Sequence, residues 1–535
     1  MKINLKPFLF WIVPLCISFL FELFFTDYRW YNFQNLVEHL VYLTCIWLAL
    51  SMIKNQKVKA TLTPLAFMFF TYGLWFETSF FYLFSTYFSA SSIFIFIETN
   101  PAEISEFLDL YVDTKLLIFS GLLLVVLIFY LIKIKNPVLL LPPKFPFILK
   151  LGLITVFVVG LKWSGYIIAN FPFQVLKGTL SYAYETYKFS DLNLDQRLGH
   201  FENVEFEGNL DSHTYVLIIG ESTTRRQLGI YGYQRETTPL LSKMKEELLI
   251  YKDVISSKSH TIESLKEALI FKDSENQTES SIIQLMNQAG FKTYWLSNQM
   301  PIGIYETFLT KVSKASDQYA YTNTTRWGSV TPFDEVLLPH LDKTLEDEAS
   351  KKFIVINFLA THANYNLRYP KEFNAFNTDP ITPFPSDESF KIINHYHNSI
   401  VYVDYLVSRI IDKVRTRNEK SFVLYFSDHG EEVFYDRNFV GHNESDIPTK
   451  SMFEIPFFVW TSKKFDSSYH FDFEPNRPYI LTDFIHSLSD LSQVKFNKFE
   501  SQKSIFSKEF KPTKRTIGKG IDFDFYFKSQ KDSIN

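Results

Sequence analysis

The stretch VLIIGESTTRRQLGIYGYQRETTP, residues 216–239, opens as a short apolar run and breaks at Gly220 followed by Glu221. An apolar run of this length, ended by a glycine, reads as a strand buried on both faces, the form taken in parallel sheets covered by helices. In such sheets ligands bind just beyond the carboxyl ends of the strands. The fold therefore turns on whether other strands end in the same way, and the chemistry on what Glu221 faces.

They do. Further strands are predicted at 214–220 (extending the opening run), 291–296, 353–359, 422–426 and 455–460, with helices near 281–289 and 391–415. This alternation predicts an α/β domain with a mostly parallel sheet. Besides Glu221, LIYKDVISSKSH runs into Ser259, His260 and Thr261, FIVINFLATH ends in His362, and FVLYFSDHG ends in Asp428, His429 and Gly430; His442 follows in GHNES. Carboxylates and imidazoles gathered at one sheet edge suit Zn²⁺, which takes N and O ligands in a tetrahedron. Singly, each has a plainer reading: Glu221 as a first-turn helix acid, Asp428 as an N-cap, His362 and His442 as surface or core histidines. Their joint position at several strand ends carries the metal reading.

A nucleophile is also needed, and SKSHTIESLKEALIF offers Thr261 where a hydroxyl-rich loop enters a helix. A hydroxyl there gains anion stabilisation from backbone N–H groups, and a metal lowers its pKa. The stretch taken alone favours a plain N-cap threonine, and Ser259 and Ser264 are rivals.

Toward the N-terminus, five apolar runs, 7–25, 35–53, 61–85, 114–132 and 147–169, each approach the ~20 residues a bilayer-crossing helix needs. The first has no small-residue cleavage site and reads as retained. Lys2 and Lys6, then Lys54, Lys57 and Lys59, then Lys133, Lys135, Lys144 and Lys150 mark three segments as cytoplasmic. The connection holding Glu98, Glu103, Glu106, Asp109 and Asp113 faces outward, so everything after about residue 170 is expected outside. The two cysteines, Cys16 and Cys45, both lie in apolar runs, so the outer domain must hold together by its core alone. A net charge of −4 and the lack of a basic block argue against a nucleic-acid partner.

The motifs GESTTRRQLGIYGYQRETTP, SHTIESL, THANYNLRYP, YHNSIVYVDYLV and YFSDHGEE followed by His442, in this order behind five spans, resemble the membrane-bound phosphoethanolamine transferases of Gram-negative bacteria. SDHGE by itself would indicate only the wider alkaline phosphatase and sulfatase superfamily. The resemblance implies an N-terminal five-helix transmembrane domain (1–170), a linker (171–210), a periplasmic alkaline-phosphatase-like (sulfatase-like) α/β catalytic domain (211–510) and a C-terminal tail (511–535) in the bacterial inner membrane. It further implies that Glu221, Thr261, Asp428 and His429 hold catalytic zinc, that Thr261 becomes phosphoethanolamine-modified, and that His362 and His442 contact substrate phosphate or a second zinc. Phosphatidylethanolamine would be the donor and lipopolysaccharide, at lipid A or a core sugar phosphate, the acceptor. Thr99 and Glu103, at i and i+4, match positions that relatives use near the donor head group, where the residues themselves read equally as a solvated acidic helix. Ile95 stands where lipid A enzymes often have Asn, and the outer domain lacks those enzymes' disulfides. The wording GESTTR and TIESL is closer to the branch that modifies core sugars. The alternatives are a phosphoglycerol transferase of the same architecture and an inactive membrane-anchored binding protein; a sulfatase is disfavoured because no Cys/Ser-x-Pro-x-Arg motif occurs.

Overall fold

The computed structural model describes residues 6–534 apart from 27–29, 85–86, 89–112, 134–145, 165–169, 189–192, 210, 302–306, 324–330, 443–447, 470–471 and 519. Thr99, Glu103 and Ile95 lie outside the described residues. The chain separates into two compact units, one holding Met1–Glu185 and one holding Thr186–Asn323 and Thr331–Asn535.

The first unit is helical: α1 (Lys6–Phe25), α2 (Trp30–Met52), α3 (Gln56–Phe84), α4 (Thr114–Lys133), α5 (Phe147–Trp163) and α6 (Phe171–Lys188). Five of these coincide with the five apolar runs, but only Phe8–Phe25, Trp30–Met52 and Thr114–Ile132 are both long and apolar enough to cross a membrane. Helix α3 has the length but carries Lys57, Lys59, Glu77 and several hydroxyls, and α5 at 17 residues, with Lys150 and Lys162, is about a turn short. Two of the buried carboxylates have close partners: Glu22 accepts from Asn32, Thr78 and Tyr87 at 2.8, 2.9 and 2.5 Å, and His39 meets Glu77 at 2.6 Å. The first half of the segment expected as a linker is helix α6.

The second unit is built on seven strands: β1 (His213–Gly220), β2 (Leu248–Tyr251), β3 (Lys292–Ser297), β4 (Gln318–Tyr321), β5 (Lys351–Asn357), β6 (Lys420–Ser427) and β7 (Phe457–Thr461). They lie in the order β2-β7-β6-β1-β5-β3-β4, and β7 alone runs against the rest. The sheet is therefore mixed, one reversed strand in an otherwise parallel set. All eight residues of β1 are buried. Tyr215, Leu217 and Ile219 face one apolar cluster with α7 (Thr261–Leu269) and α8 (Ile282–Gln288); Val216 and Ile218 face another with α9 (Asp387–Thr416). Period-two alternation between two helical layers explains why these strands read as unbroken apolar runs. Helix α8 starts on a capping box, Ser281 with Gln284, and α9 on another, Ser386 with Ser389. The final residues pack onto this unit, since Ile517, Phe523 and Phe527 join Ile255, Met452 and Phe453 in a common core. Both cysteines are free thiols in the helical unit, so the second unit is held without a disulfide.

Candidate metal centre

β1 and its parallel neighbour β6 end side by side, Gly220 opposite Ser427. The next residues are Glu221 and Asp428, which the register delivers together. Gly220 is required there, because a Cβ would lie 2.2 Å from the Tyr425 hydroxyl. Gly430 is required by close approach too: its Cβ would lie 2.1 Å from the carbonyl oxygen of Ser451.

The chain leaves β1 through Ser222, which adopts φ 45°, a conformation that L residues seldom take. It is pinned on three sides. Ser222 N donates to Asp428 Oδ1 at 2.9 Å, its hydroxyl donates to Glu221 Oε1 at 2.6 Å, and its carbonyl accepts from Tyr396 Oη at 3.0 Å. Glu221 Oε2 accepts from Gln299 Nε2 at 2.9 Å, and the same amide donates to Phe358 O at 2.8 Å. Thr361, a β-branched residue at φ 74°, is a second strained point beside Glu221, to whose carbonyl its hydroxyl donates. Strain persists only where surroundings over-determine the backbone, and it gathers at functional sites.

Asp428 is fully buried and burial pushes its carboxyl up from the ordinary range. Oδ1 accepts from Ser222 N and from His429 N at 2.7 Å, whereas Oδ2 is buried without a hydrogen-bond partner. His429 Nδ1 donates to Gly430 O at 2.8 Å, which leaves its Nε2 lone pair facing inward. Burial, then the charge of nearby His442, holds this imidazole neutral, well below its usual pKa. Nε2 lies 3.3 Å from Asp428 Oδ2, 3.7 Å from Glu221 Oε1 and 3.4 Å from Thr261 Oγ1. Zn²⁺ with bonds of ~2.0–2.1 Å in a tetrahedron separates its ligands by about 3.3 Å. The spacing, the inward lone pairs and the orphaned Oδ2 thus fit that ion.

Thr261 is the first residue of α7. The N-cap is His260, which makes no side-chain capping bond, so the plain N-cap reading of Thr261 gives way. Of its rivals, Ser264 donates to Asp428 O at 2.5 Å and ties α7 to β6, while buried Ser259 meets His260 Nδ1 at 3.1 Å.

His442 lies against the same centre, 4.4 Å ring to ring from His429 and 5.1 Å from His260. Burial works against its charge, but Glu431 at 2.6 Å outweighs this and raises its pKa. Glu431 is itself held by Tyr365 Oη at 2.7 Å, and His429, Glu431 and His442 form a second group able to hold a cation. His362 follows β5; burial and then the charges of Arg368 and His442 push its pKa down to about 4. Glu221, Asp428, His429 and Thr261 therefore converge, with His442 adjoining and His362 within electrostatic reach. Gln299, Thr361, Glu431 and Tyr396 escaped the sequence reading. Each left a positional signal without a role: Gln299 lies two residues beyond β3, and Thr361, Tyr396 and Glu431 stand inside THANYNLRYP, YHNSIVYVDYLV and YFSDHGEE.

The sulfatase family model matches residues 213–494. Phosphoethanolamine transferase EptC of Escherichia coli K12 is 33% identical over 463 residues, spanning 81% of this chain and 80% of that protein. Phosphoethanolamine transferase CptA of Salmonella typhimurium is 32% identical, spanning 82% and 81%. The crystal structure of the C-terminal periplasmic domain of Escherichia coli EptC in complex with Zn superposes with a TM-score of 0.57 at 36% identity, covering 61% of this chain and 97% of that one.

Proposed function

The chain belongs to the sulfatase family and, within it, to the phosphoethanolamine transferases, and from that premise we propose that it moves the head group of phosphatidylethanolamine onto lipopolysaccharide through Thr261. The observation that carries this reading is the Thr261 hydroxyl at a helix N-terminus, 3.4 Å from the inward lone pair of His429 and beside two buried carboxylates.

Glu221, Thr261, Asp428 and His429 would hold Zn²⁺, which when bound lowers the pKa of the threonine hydroxyl and offsets phosphate charge. Thr261 Oγ1 gives up its proton and forms a bond to phosphorus. The bond from phosphorus to the glycerol oxygen breaks, that oxygen takes up a proton, and diacylglycerol leaves. A hydroxyl or phosphate oxygen of the acceptor then attacks the same phosphorus and frees Thr261. His442, steadied by Glu431, and His362 are suited to grip phosphate oxygens or a second zinc. The acceptor is a lipid A or core sugar phosphate.

The same reading takes α1–α5 as spans of the bacterial inner membrane, with the catalytic unit in the periplasm. It divides the chain into residues 1–170, 171–210, 211–510 and 511–535, and assigns Thr99 and Glu103 to the donor head group. Three helices of spanning length and apolarity support the membrane part. The test is peptide mass analysis of the full chain after incubation with phosphatidylethanolamine and zinc. Phosphoethanolamine is expected on the peptide holding Thr261. An unmodified peptide in zinc-loaded protein, with phosphatidylglycerol modifying it instead, would replace the donor; modification elsewhere would remove Thr261 from its role.

A further inference from the structure

The edge of the sheet that holds the metal centre carries a second feature. A cleft of about 740 Å³ is lined by Arg225, Arg226, Tyr233, Lys252, Tyr435 and Asp436 among others. Each arrives from that edge: Arg225 and Arg226 follow β1, Tyr435 and Asp436 follow β6, and Lys252 follows β2, which runs parallel to β6 two strands away. Asp428 follows β6 at this same edge, so the cleft and the metal centre share one side of the sheet.

Its chemistry differs from that of the metal centre. Arg226 Nη1 donates to both oxygens of Asp436 at 2.8 and 2.7 Å, and its guanidinium lies 4.6 Å over the Tyr435 ring. Arg225 pairs with Glu454 at 3.1 Å. Tyr233 and Tyr435 stand 6.4 Å apart at 53°, forming a bent aromatic wall. Three cations, Arg225, Arg226 and Lys252, meet two carboxylates, Asp436 and Glu454, so the wall keeps one positive charge, with Lys252 exposed. Aromatic faces take the C–H face of a sugar ring, hydroxyls and guanidinium edges take its oxygens, and cations take phosphate. The volume lies within the ~300–1,000 Å³ usual for small-ligand sites.

We propose that this cleft binds a phosphorylated sugar of the acceptor, holding it so that another group of the same molecule reaches Thr261. The proposal rests on the transferase reading and adds the place where the acceptor is chosen. Arg225 and Arg226 are fixed by their carboxylates for this purpose, and Lys252 supplies the free positive charge. The donor, attacked at the metal centre, does not occupy the cleft.

The test uses the full chain in detergent with Lys252→Glu and Ile381→Glu, two substitutions at exposed positions of the cleft; Ile381 is 77% exposed. Formation of phosphoethanolamine-Thr261 from phosphatidylethanolamine is expected to stay within about twofold of wild type. Transfer to purified lipopolysaccharide should show a KM raised about tenfold, with kcat little changed, as for lost ground-state binding. Binding of delipidated, phosphorylated lipopolysaccharide oligosaccharide should weaken by a similar factor, and dephosphorylating the oligosaccharide should weaken binding to wild type. A wild-type KM and wild-type oligosaccharide affinity in both variants would overturn the proposal, as would equal losses in both chemical steps. If wild-type Thr261 stays unmodified, the transferase mechanism fails, and the oligosaccharide measurement still decides the cleft.

Discussion

Replacing Tyr396 by phenylalanine tests how far the metal centre depends on a residue that touches none of its ligands. The Tyr396 hydroxyl, buried on α9, donates to Ser222 O at 3.0 Å and accepts from Thr224 N at 3.1 Å. Between these two bonds runs the strained turn that carries Ser222 at φ 45°. Tyr396→Phe keeps the ring and its packing but leaves one donor and one acceptor buried without partners. Each orphaned group costs ~1–3 kcal/mol, so the variant should lose about 2–6 kcal/mol. For the unit that begins at Thr186, with unfolding entropy of ~2.1 cal/mol/K per residue, this lowers Tm by about 3–8 °C. Ser222 also holds Glu221 Oε1 at 2.6 Å and Asp428 Oδ1 at 2.9 Å, so the relaxed turn should weaken zinc binding by ~10-fold or more, the usual effect of removing an outer support. Thermal unfolding of zinc-loaded wild type and variant, followed by zinc competition with a chelator, gives both numbers. A Tm within about 1 °C together with unchanged zinc affinity would refute the view that Tyr396 holds the turn in place.

Thr261→Ala is expected to abolish the covalent intermediate while leaving the fold intact, and Thr261→Ser to retain part of it; mass analysis of the Thr261 peptide decides. Gln299→Ala, which removes the bonds to Glu221 Oε2 and Phe358 O, should cost ~10–100-fold in zinc affinity and lower Tm by a few degrees. Gly430→Ala must push against the Ser451 carbonyl, and inactive protein with displaced metal, read by zinc stoichiometry, is the expected result. Asp404 caps the backbone N–H groups of Leu240 and Leu241 at 2.8 Å each, and burial raises its pKa to about 7. The folded state therefore holds this proton up to about pH 7 while the unfolded chain releases it near pH ~4, so stability falls as pH rises between those values. Urea midpoints should show wild type losing its advantage over Asp404→Asn between pH 5 and 7.5, and parallel curves would sink the argument.

Much of the site was legible because its residues follow strands. VLIIG and FVLYFS announce buried strands by composition, and a residue just past such a strand has few places to go, so Glu221 and Asp428 meet by register alone. Thr261 was legible through its helix start, though the cap itself fell on His260. The roles of Gln299, Thr361 and Tyr396 were not legible, since each reaches Glu221 or Ser222 only through tertiary packing, from just beyond β3, from the loop after β5 and from within α9. The reversal of β7 was hidden too, because a strand buried on both faces looks alike in either direction. Lys57, Lys59 and Glu77 in α3, and the shortness of α5, explain why five apolar runs yield three helices of plain spanning character.

The cysteine-free core of the second unit bears on how the protein is made. Cys16 and Cys45 sit in α1 and α2, and no thiol occurs in the remaining sequence. Folding of the catalytic half thus needs no oxidant and no isomerase to sort pairings, and it cannot be trapped by a wrong cross-link. Redox balance drops out as a variable in its biogenesis: the same native state is open to it in a reducing compartment and in an oxidising one, and a cell starved of thiol oxidase would still mature it.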